Sequence, residues 1–259
     1  MNLYTAIQAA LPAQLDEPAI LTDGGLTYPW RDLDAATAML ANLLGSLKLR
    51  GTGGRPPVVA AHVDKSVEAL LLYLATLRAG AVFLPLNPAY RAAELDYFVE
   101  DAQPTVLVCR SDDLDWVTPL AAHRNVGHLF TLNDDRTGSL LTHAAQMPRR
   151  HEVATRKADD LAAILYTSGT TGRSKGALLT HGNLLSNART LLRHWDWRTD
   201  DVLVHALPIF HIHGLFVAGH CALLSATPMR WIGKFDAAKV IAQIKSAEGP
   251  RASVFMAVP

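Results

Sequence analysis

Cysteine is scarce in this sequence. Cys109 and Cys221 are the only two among 259 residues, and they lie far apart without Cys-x-x-Cys spacing. This pattern predicts neither a disulfide framework nor a thiolate metal site. It favours a reducing compartment, and we expect the protein to be cytoplasmic.

An excess of either charge is also absent. Lys plus Arg and Asp plus Glu number 24 each, so the composition indicates no nucleic-acid partner and no anionic membrane surface. Residues 1–12 contain no basic segment, and they predict an amphipathic helix rather than a signal peptide.

Charged side chains are missing altogether from Val202 to Met229, a stretch long enough to span a bilayer. The same stretch contains two prolines, two glycines and four histidines, which would be poorly solvated in hydrocarbon. We therefore predict a buried strand, loop and helix around a site, and no integral membrane segment.

Short apolar runs alternate with helical patterns from residue 58 onward. Ser66 is placed to cap a helix that ends at Gly80, and Glu94–Ala102 also has helical spacing. This alternation predicts an α/β fold of doubly wound, mostly parallel sheets with flanking helices. Residues 133–160 are polar and predict an irregular, solvated connector. The expected strands of this region are Val58–Val63, Ala81–Leu86, Thr105–Cys109 and His128–Leu132.

The stretch Tyr166–Gly176 has the composition of an anion-binding loop. It reads Tyr-Thr-Ser-Gly-Thr-Thr-Gly-Arg-Ser-Lys-Gly, between the strand-like run Leu161–Tyr166 and a helical segment that opens at His181. Glycines allow backbone N–H groups to approach a ligand closely, and Lys175 adds a compact charge suited to polyphosphate. The lysine follows a serine and precedes a glycine, so this is not a Walker A loop. A flexible turn between strand and helix is the alternative.

A second motif, Pro208-Ile-Phe-His-Ile-His-Gly, follows the end of a predicted strand, where open α/β sheets place ligands. On extended backbone, His211 and His213 would share one face. Such a pair could also chelate zinc, although no nearby cluster supplies further ligands. Buried histidines satisfied by backbone groups are the third interpretation.

The eleven residues of the loop resemble the phosphate-binding signature of the adenylate-forming superfamily, which includes acyl-CoA synthetases, luciferases and peptide-synthetase adenylation domains. The resemblance implies ATP, Mg²⁺ and CoA as small-molecule ligands together with a carboxylic acid. It also implies that Thr171 lies near the Mg²⁺ that accompanies ATP. The nucleotide-binding residues implied are Thr167, Ser168, Gly169, Thr170, Thr171, Gly172 and Lys175.

The second motif resembles the stretch of acyl-CoA synthetases that lines the acyl pocket. By this resemblance His211 is the catalytic residue, placed near the acyl carboxylate and the α-phosphate, and Phe210 and Gly214 shape the pocket. We expect a first α/β subdomain with its connector over residues 1–160. The phosphate loop and the start of the acyl-pocket subdomain are expected over residues 161–259.

Several stretches are most similar to malonyl-CoA synthetases. The distal carboxylate of malonate requires a cation, which the resemblance places just beyond Ser253–Pro259. Arg230 is the nearest candidate within the chain, but it is more typical of an ordinary surface arginine. The similar stretches are Asp64–Leu70, Phe83–Tyr90, Asp201–Ala218 and Lys234–Asp236.

Members of this superfamily are longer than this chain. The resemblance places the adenine pocket, a ribose-binding aspartate and a C-terminal domain with the catalytic lysine beyond Pro259. We therefore expect residues 1–259 to be the N-terminal part of the enzyme, unable to complete adenylation without the missing C-terminal half. The alternatives are a synthetase for another short-chain or aromatic acid, and a non-catalytic nucleotide-binding fragment.

Overall fold

The computed structural model describes residues 1–52, 54–167 and 174–258. Its strands in chain order are β1 (Pro18–Thr22), β2 (Thr27–Pro29), β3 (Val58–His62), β4 (Val82–Pro85), β5 (Val106–Cys109), β6 (His128–Thr131), β7 (Leu161–Thr167), β8 (Lys175–Thr180), β9 (Leu203–His205), β10 (Met229–Trp231) and β11 (Val254–Phe255).

The α-helices are α1 (Leu3–Ala10), α2 (Trp30–Ser46), α3 (Val67–Arg78), α4 (Ala92–Ala102), α5 (Leu114–His123), α6 (Ser139–Ala144), α7 (His181–His194), α8 (His220–Leu224) and α9 (Ala237–Lys245). A π-helix, His213–Gly219, precedes α8.

The chain forms two compact units. The first comprises residues 1–2 and 36–181, and the second comprises residues 3–35 and 182–259. Residues 161–181 thus lie with the first unit, and residues 3–35 lie with the second. The division of the enzyme into subdomains at residue 160 stays a prediction.

The first unit is built on a sheet whose described strands run in the order β6-β5-β3-β4-β7-β8. The pairs are parallel except for β7 with β8, which is antiparallel. Strands β3, β4 and β5 are buried along their whole length, as strands covered on both faces should be. The predicted doubly wound, mostly parallel α/β fold is confirmed.

Helix α3 begins and ends where its sequence predicts. The Ser66 side chain accepts a hydrogen bond from the Ala69 N–H at 3.0 Å, which satisfies one of the unpaired donors at the helix start. Gly80 follows the helix with φ +73°, a conformation that favours glycine. A Cβ there would also lie 2.7 Å from the Arg156 guanidinium.

Two α-helices and one strand among the described residues of the first unit were not predicted. Helix α5 contains Pro119, which weakens a helical pattern. Helix α6 lies inside the region predicted to be irregular, so that prediction is wrong for Ser139–Ala144. The third is β8, because the sequence predicted a loop leading directly to a helix. Its residues Lys175–Leu178 are exposed, and an exposed edge strand lacks the continuous apolar run that marks the central strands.

The second unit contains a sheet whose described strands have the order β11-β9-β10-β1-β2. Strands β1 and β2 form an antiparallel hairpin around Asp23–Gly25, while β1, β10, β9 and β11 pair in parallel. Asp236 caps α9, accepting a hydrogen bond from the Lys239 N–H at 2.9 Å.

In the part of the chain that the structure describes, no helix is both long and apolar enough to cross a bilayer. The uncharged stretch Val202–Met229 forms β9, a turn, the π-helix and α8. The predicted strand, loop and helix are therefore present.

The connector that follows α6 is fastened to the C-terminus of α3 by buried Arg78. Its guanidinium donates to the His151 carbonyl from Nε and Nη2 at 3.2 and 2.7 Å, and to Thr37 Oγ1 at 3.1 Å. The Arg78 carbonyl in turn accepts from the Ala154 N–H at 2.9 Å. The connector is thus held by specific bonds, although Arg149 and Arg150 within it are exposed.

Arg78→Ala should lower the free energy of unfolding by about 2–3 kcal/mol, because it leaves the half-buried His151 carbonyl and the buried Thr37 hydroxyl without this donor. Urea titration of the purified chain measures the loss. Arg198→Ala is the matched control and should change stability by less than about 0.5 kcal/mol, since Arg198 is 69% exposed and pairs with exposed Asp196. An Arg78 variant as stable as this control would contradict the prediction.

Candidate functional site

The stems of the predicted phosphate loop are the ends of β7 and β8. Thr167 and Lys175 are paired across the two strands, and Tyr166 is paired with Gly176. Both Thr167 and Lys175 are exposed, so their polar groups are accessible to a ligand. The structure therefore brings together these two predicted nucleotide-binding residues. The other predicted ones, Ser168, Gly169, Thr170, Thr171 and Gly172, lie outside the described residues.

Gly176 allows the two stems to pack tightly. A Cβ at this position would lie 3.3 Å from the Ile164 Cγ2 atom and 3.3 Å from the Tyr166 ring, closer than ordinary van der Waals contact. Because glycine leaves this space free, the Tyr166 ring lies across the partner strand. At the Lys-Gly end of the signature, the exposed cation of Lys175 therefore lies directly before a tightly packed glycine of the same strand.

The second predicted site follows the carboxyl end of β9. The chain turns through residues 207–211 and enters the π-helix at His213. The expectation that His211 and His213 share a face of extended backbone is therefore wrong, because both lie in turning or helical backbone. A π-helix is rare in proteins and is frequently found at functional sites.

Gly214 makes this turn possible. A Cβ on Gly214 would lie 2.1 Å from the Pro208 carbonyl oxygen, so a larger residue would force the turn to open. The Gly214 carbonyl oxygen lies 2.9 Å from His205 Nε2, within hydrogen-bond distance. Phe210, His211 and Gly214 are thus parts of one closed turn.

His211 is presented on the outside of the turn. Its ring is exposed and lies 4.4 Å from the Phe210 ring, centroid to centroid. Desolvation by the surrounding chain lowers the pKa of His211 below its ordinary value. At neutral pH the ring is therefore mainly uncharged and can donate one hydrogen bond to an anionic oxygen.

A buried histidine bonded to the backbone does occur here, but at another position, His205. His205 is buried beneath Gly214, and its ring stacks on Trp231 at 4.6 Å. His220 is buried at the start of α8, and burial lowers its pKa to about 3. Sequence reasoning assigned no role to His205 or Trp231. The signal for such a role is their position at the ends of β9 and β10, where the two residues are register partners.

Arg230 is not a surface arginine, contrary to the expectation. Only 3% of the residue is exposed. Its guanidinium donates to the Pro250 carbonyl at 2.8 and 3.2 Å, to Gln243 Oε1 at 3.0 Å and to the Glu248 carbonyl. These acceptors use the donors that a distal carboxylate would need, so Arg230 fastens the 246–250 turn.

A metal site formed by His211 and His213 gains no support from the geometry. Across the residues described, no group of three or more His, Cys, Asp or Glu side chains could hold a metal ion. Thr171, predicted to lie near ATP-bound Mg²⁺, is outside this part of the chain. Both cysteines are buried and free.

Strands β7 and β8 pair at the edge of the first sheet and flank a Gly/Ser/Thr-rich stretch, an arrangement suited to binding anions. The profile of the AMP-binding enzyme family matches residues 7–259. The chain therefore belongs to the AMP-binding enzyme family, and the predicted membership of the adenylate-forming superfamily is confirmed.

Solved structures and curated relatives agree with this assignment. Apo MatB from Rhodopseudomonas palustris is 45% identical with a TM-score of 0.91, covering 100% of this chain and 49% of that chain. A mitochondrial malonate–CoA ligase of Bos taurus is 30% identical over 96% of this chain and 42% of its own length. A feruloyl-CoA synthase of an Amycolatopsis species is 32% identical over 91% and 44%, respectively. The chain thus spans about half the length of the proteins it matches.

Proposed function

We propose that this chain is the N-terminal part of an ATP-dependent acyl-CoA synthetase that activates malonate. The observation that carries the proposal is the pairing of Thr167 with Lys175 at the two stems of the eleven-residue signature. Membership of the AMP-binding enzyme family supports the reaction class. The relatives from Bos taurus and Arabidopsis thaliana that are named malonate–CoA ligase support the substrate.

The proposed reaction has two steps. A carboxylate oxygen of the acid attacks the α-phosphorus of ATP, and the bond to the β-phosphate oxygen breaks, releasing pyrophosphate and leaving acyl-adenylate. The thiol of CoA then attacks the acyl carbon, loses its proton and displaces AMP. Mg²⁺ accompanies ATP as a substrate ion and neutralises part of the triphosphate charge.

Lys175 and Thr167 are the described residues proposed to bind the β- and γ-phosphates. Lys175 offers three donors and a full positive charge on an exposed strand end, and the Thr167 hydroxyl offers a neutral donor. Their contribution is to position and neutralise the leaving pyrophosphate, which is where fixed charges lower such barriers most.

His211 is proposed to donate a hydrogen bond to the acyl carboxylate as it approaches the α-phosphate. An uncharged ring suits this role, because it offsets the repulsion between the acyl carboxylate and the α-phosphate without forming a tight ion pair with the acid. Phe210 and Gly214 are proposed to form the wall of the acyl pocket beside it.

Activation of an aromatic acid is the second candidate function. The Amycolatopsis feruloyl-CoA synthase, at 32% identity, is as similar to this chain as the Arabidopsis thaliana malonate–CoA ligase, at 31%. A binding fragment without catalysis is the third. Acid preference separates the first two, and the presence of any acid-dependent reaction separates both from the third.

The proposal predicts acid-dependent ATP–pyrophosphate exchange by the enzyme extended to the full length of its relatives. Exchange with malonate should exceed exchange with acetate, octanoate and benzoate by about 100-fold in kcat/KM, because a monocarboxylate leaves the cation for the distal carboxylate unpaired. Methylmalonate and ferulate complete the panel.

The 259-residue chain alone is the control in this assay and should give no exchange. Preference for ferulate or benzoate would replace malonate with an aromatic acid. Exchange with none of the acids would contradict the synthetase proposal. A cytoplasmic location stays a prediction, since the Bos taurus relative is named as mitochondrial.

A further inference from the structure

We propose that Tyr97 and Asp101 of α4 are positioning residues that hold the two stems of the phosphate-binding hairpin and thereby place Thr167 and Lys175. This inference rests on the proposed function, in which Thr167 and Lys175 bind phosphate. Tyr97 and Asp101 contact the residues that directly precede these two in the chain. Nothing in the signature itself points to α4, which lies about 70 residues earlier in the chain.

The two contacts are made by one helix face. Tyr97 and Asp101 are four residues apart, so they lie one above the other on α4. The Tyr97 hydroxyl donates to the Ser174 carbonyl at 2.7 Å. The Tyr166 hydroxyl donates to Asp101 Oδ2 at 2.5 Å. Helix α4 therefore holds both stems of the hairpin.

Each anchored residue directly precedes a proposed phosphate ligand. Ser174 is followed by Lys175, and Tyr166 is followed by Thr167. The bond from Tyr97 is made to a main-chain carbonyl, so it fixes the path of the backbone rather than the rotamer of one side chain. Small displacements of a binding group lower catalytic rates steeply, so fixing this path matters for phosphate binding.

Aromatic packing makes the anchors stiff. The Tyr166 ring lies 4.5 Å from the Phe98 ring and 6.3 Å from the Tyr97 ring, and Tyr97 lies 5.3 Å from Phe98. Aromatic rings have few rotatable bonds and prefer such tilted or edge contacts. Burial, and then the hydrogen bond to Asp101, raise the pKa of Tyr166, so its hydroxyl remains a donor at neutral pH.

The helix that carries the anchors is itself fixed. Its start is closed by a hydrogen bond from the Arg91 N–H to Glu94 Oε2 at 2.9 Å. Arg124 at the end of α5 pairs with Asp96 through two bonds of 2.6 and 2.7 Å and with Glu100 at 2.8 Å. A rigid α4 can therefore determine where the stems lie.

The test measures acid-dependent exchange by the full-length enzyme with Tyr97→Phe, Asp101→Ala and the double variant. Tyr97→Phe removes one hydroxyl and keeps the ring. We expect the KM for ATP and for pyrophosphate to rise about fivefold to tenfold in each single variant. The KM for the carboxylic acid should stay unchanged, whereas a merely structural role would raise all three KM values together.

Tyr90→Phe is the matched control. Tyr90 belongs to the same aromatic group, with its ring 4.9 Å from Phe98, but it precedes α4, and among the described residues no hydrogen bond joins it to either stem. Loss of the Tyr90 hydroxyl should leave the KM for ATP and the KM for pyrophosphate unchanged. An equal rise in all three KM values, or no rise in the KM for ATP in Tyr97→Phe, would overturn the inference and leave the proposed function standing.

Calorimetric titration with inorganic tripolyphosphate separates failure of the inference from failure of the proposed function. If the wild-type enzyme shows no exchange with any acid, the proposed function fails. Weaker tripolyphosphate binding by Tyr97→Phe than by wild type would then still support the positioning role. Equal binding, or no binding by the wild type, would overturn it.

Discussion

Lys175→Ala in the full-length enzyme should slow formation of the acyl-adenylate by about 100-fold to 1,000-fold, the loss typical of removing one fixed donor from a developing charge. Transfer of the acyl group from preformed acyl-adenylate to CoA should change by less than about threefold. The reason is that pyrophosphate has already left before the second step, so the charge that Lys175 is proposed to neutralise is no longer present.

Single-turnover measurements of the two half-reactions test this difference. Lys175→Arg should recover part of the first step, because it keeps the charge but replaces a compact ammonium with a larger fork. Lys157→Ala, an exposed lysine of the connector, is the control and should affect neither step. Equal losses in both half-reactions would show that Lys175 does not act on the leaving group.

The central strands were predictable because they are buried on both faces. Residues of β5 are apolar throughout, those of β3 are apolar from Val58 to Ala61, and the Ser66 cap and Gly80 mark the limits of α3. Edge and irregular elements were not predictable in this way. Strand β8 is exposed, and its pairing with β7 depends on the Tyr166–Gly176 contact, which a one-dimensional pattern does not reveal.

The candidate site shows the same limit. Resemblance identified the loop signature and the turn with His211, but it could not supply the residues that support them. Tyr97 and His205 act through main-chain carbonyls of Ser174 and Gly214, and such bonds depend on the fold rather than on spacing. Arg230 was misjudged for a similar reason, because spacing along the chain does not show that the main-chain carbonyls of the 246–250 turn accept from its side chain.

Mild acid should destabilise both units, each by about 2 kcal/mol between pH 7 and pH 5. His181 in the first unit and His220 in the second are fully buried. Burial lowers the pKa of His220 to about 3. Burial, followed by the nearby Arg156 charge, lowers the pKa of His181 to about 4. The unfolded histidines take up a proton near pH 6.5, whereas the folded ones do not until the pH is far lower.

The sign follows from proton binding. Between about pH 6.5 and pH 4 the unfolded chain binds more protons than the folded chain, so stability is complete above this window and falls as the pH falls through it. Urea titrations at pH 7 and pH 5 measure the loss. His220→Gln and His181→Gln should each remove about 2 kcal/mol of the difference between the two pH values, even if they also lower stability at pH 7. His194→Gln, at an exposed position, should leave the difference unchanged. A pH dependence identical in all three variants would show that the buried rings do not control acid stability.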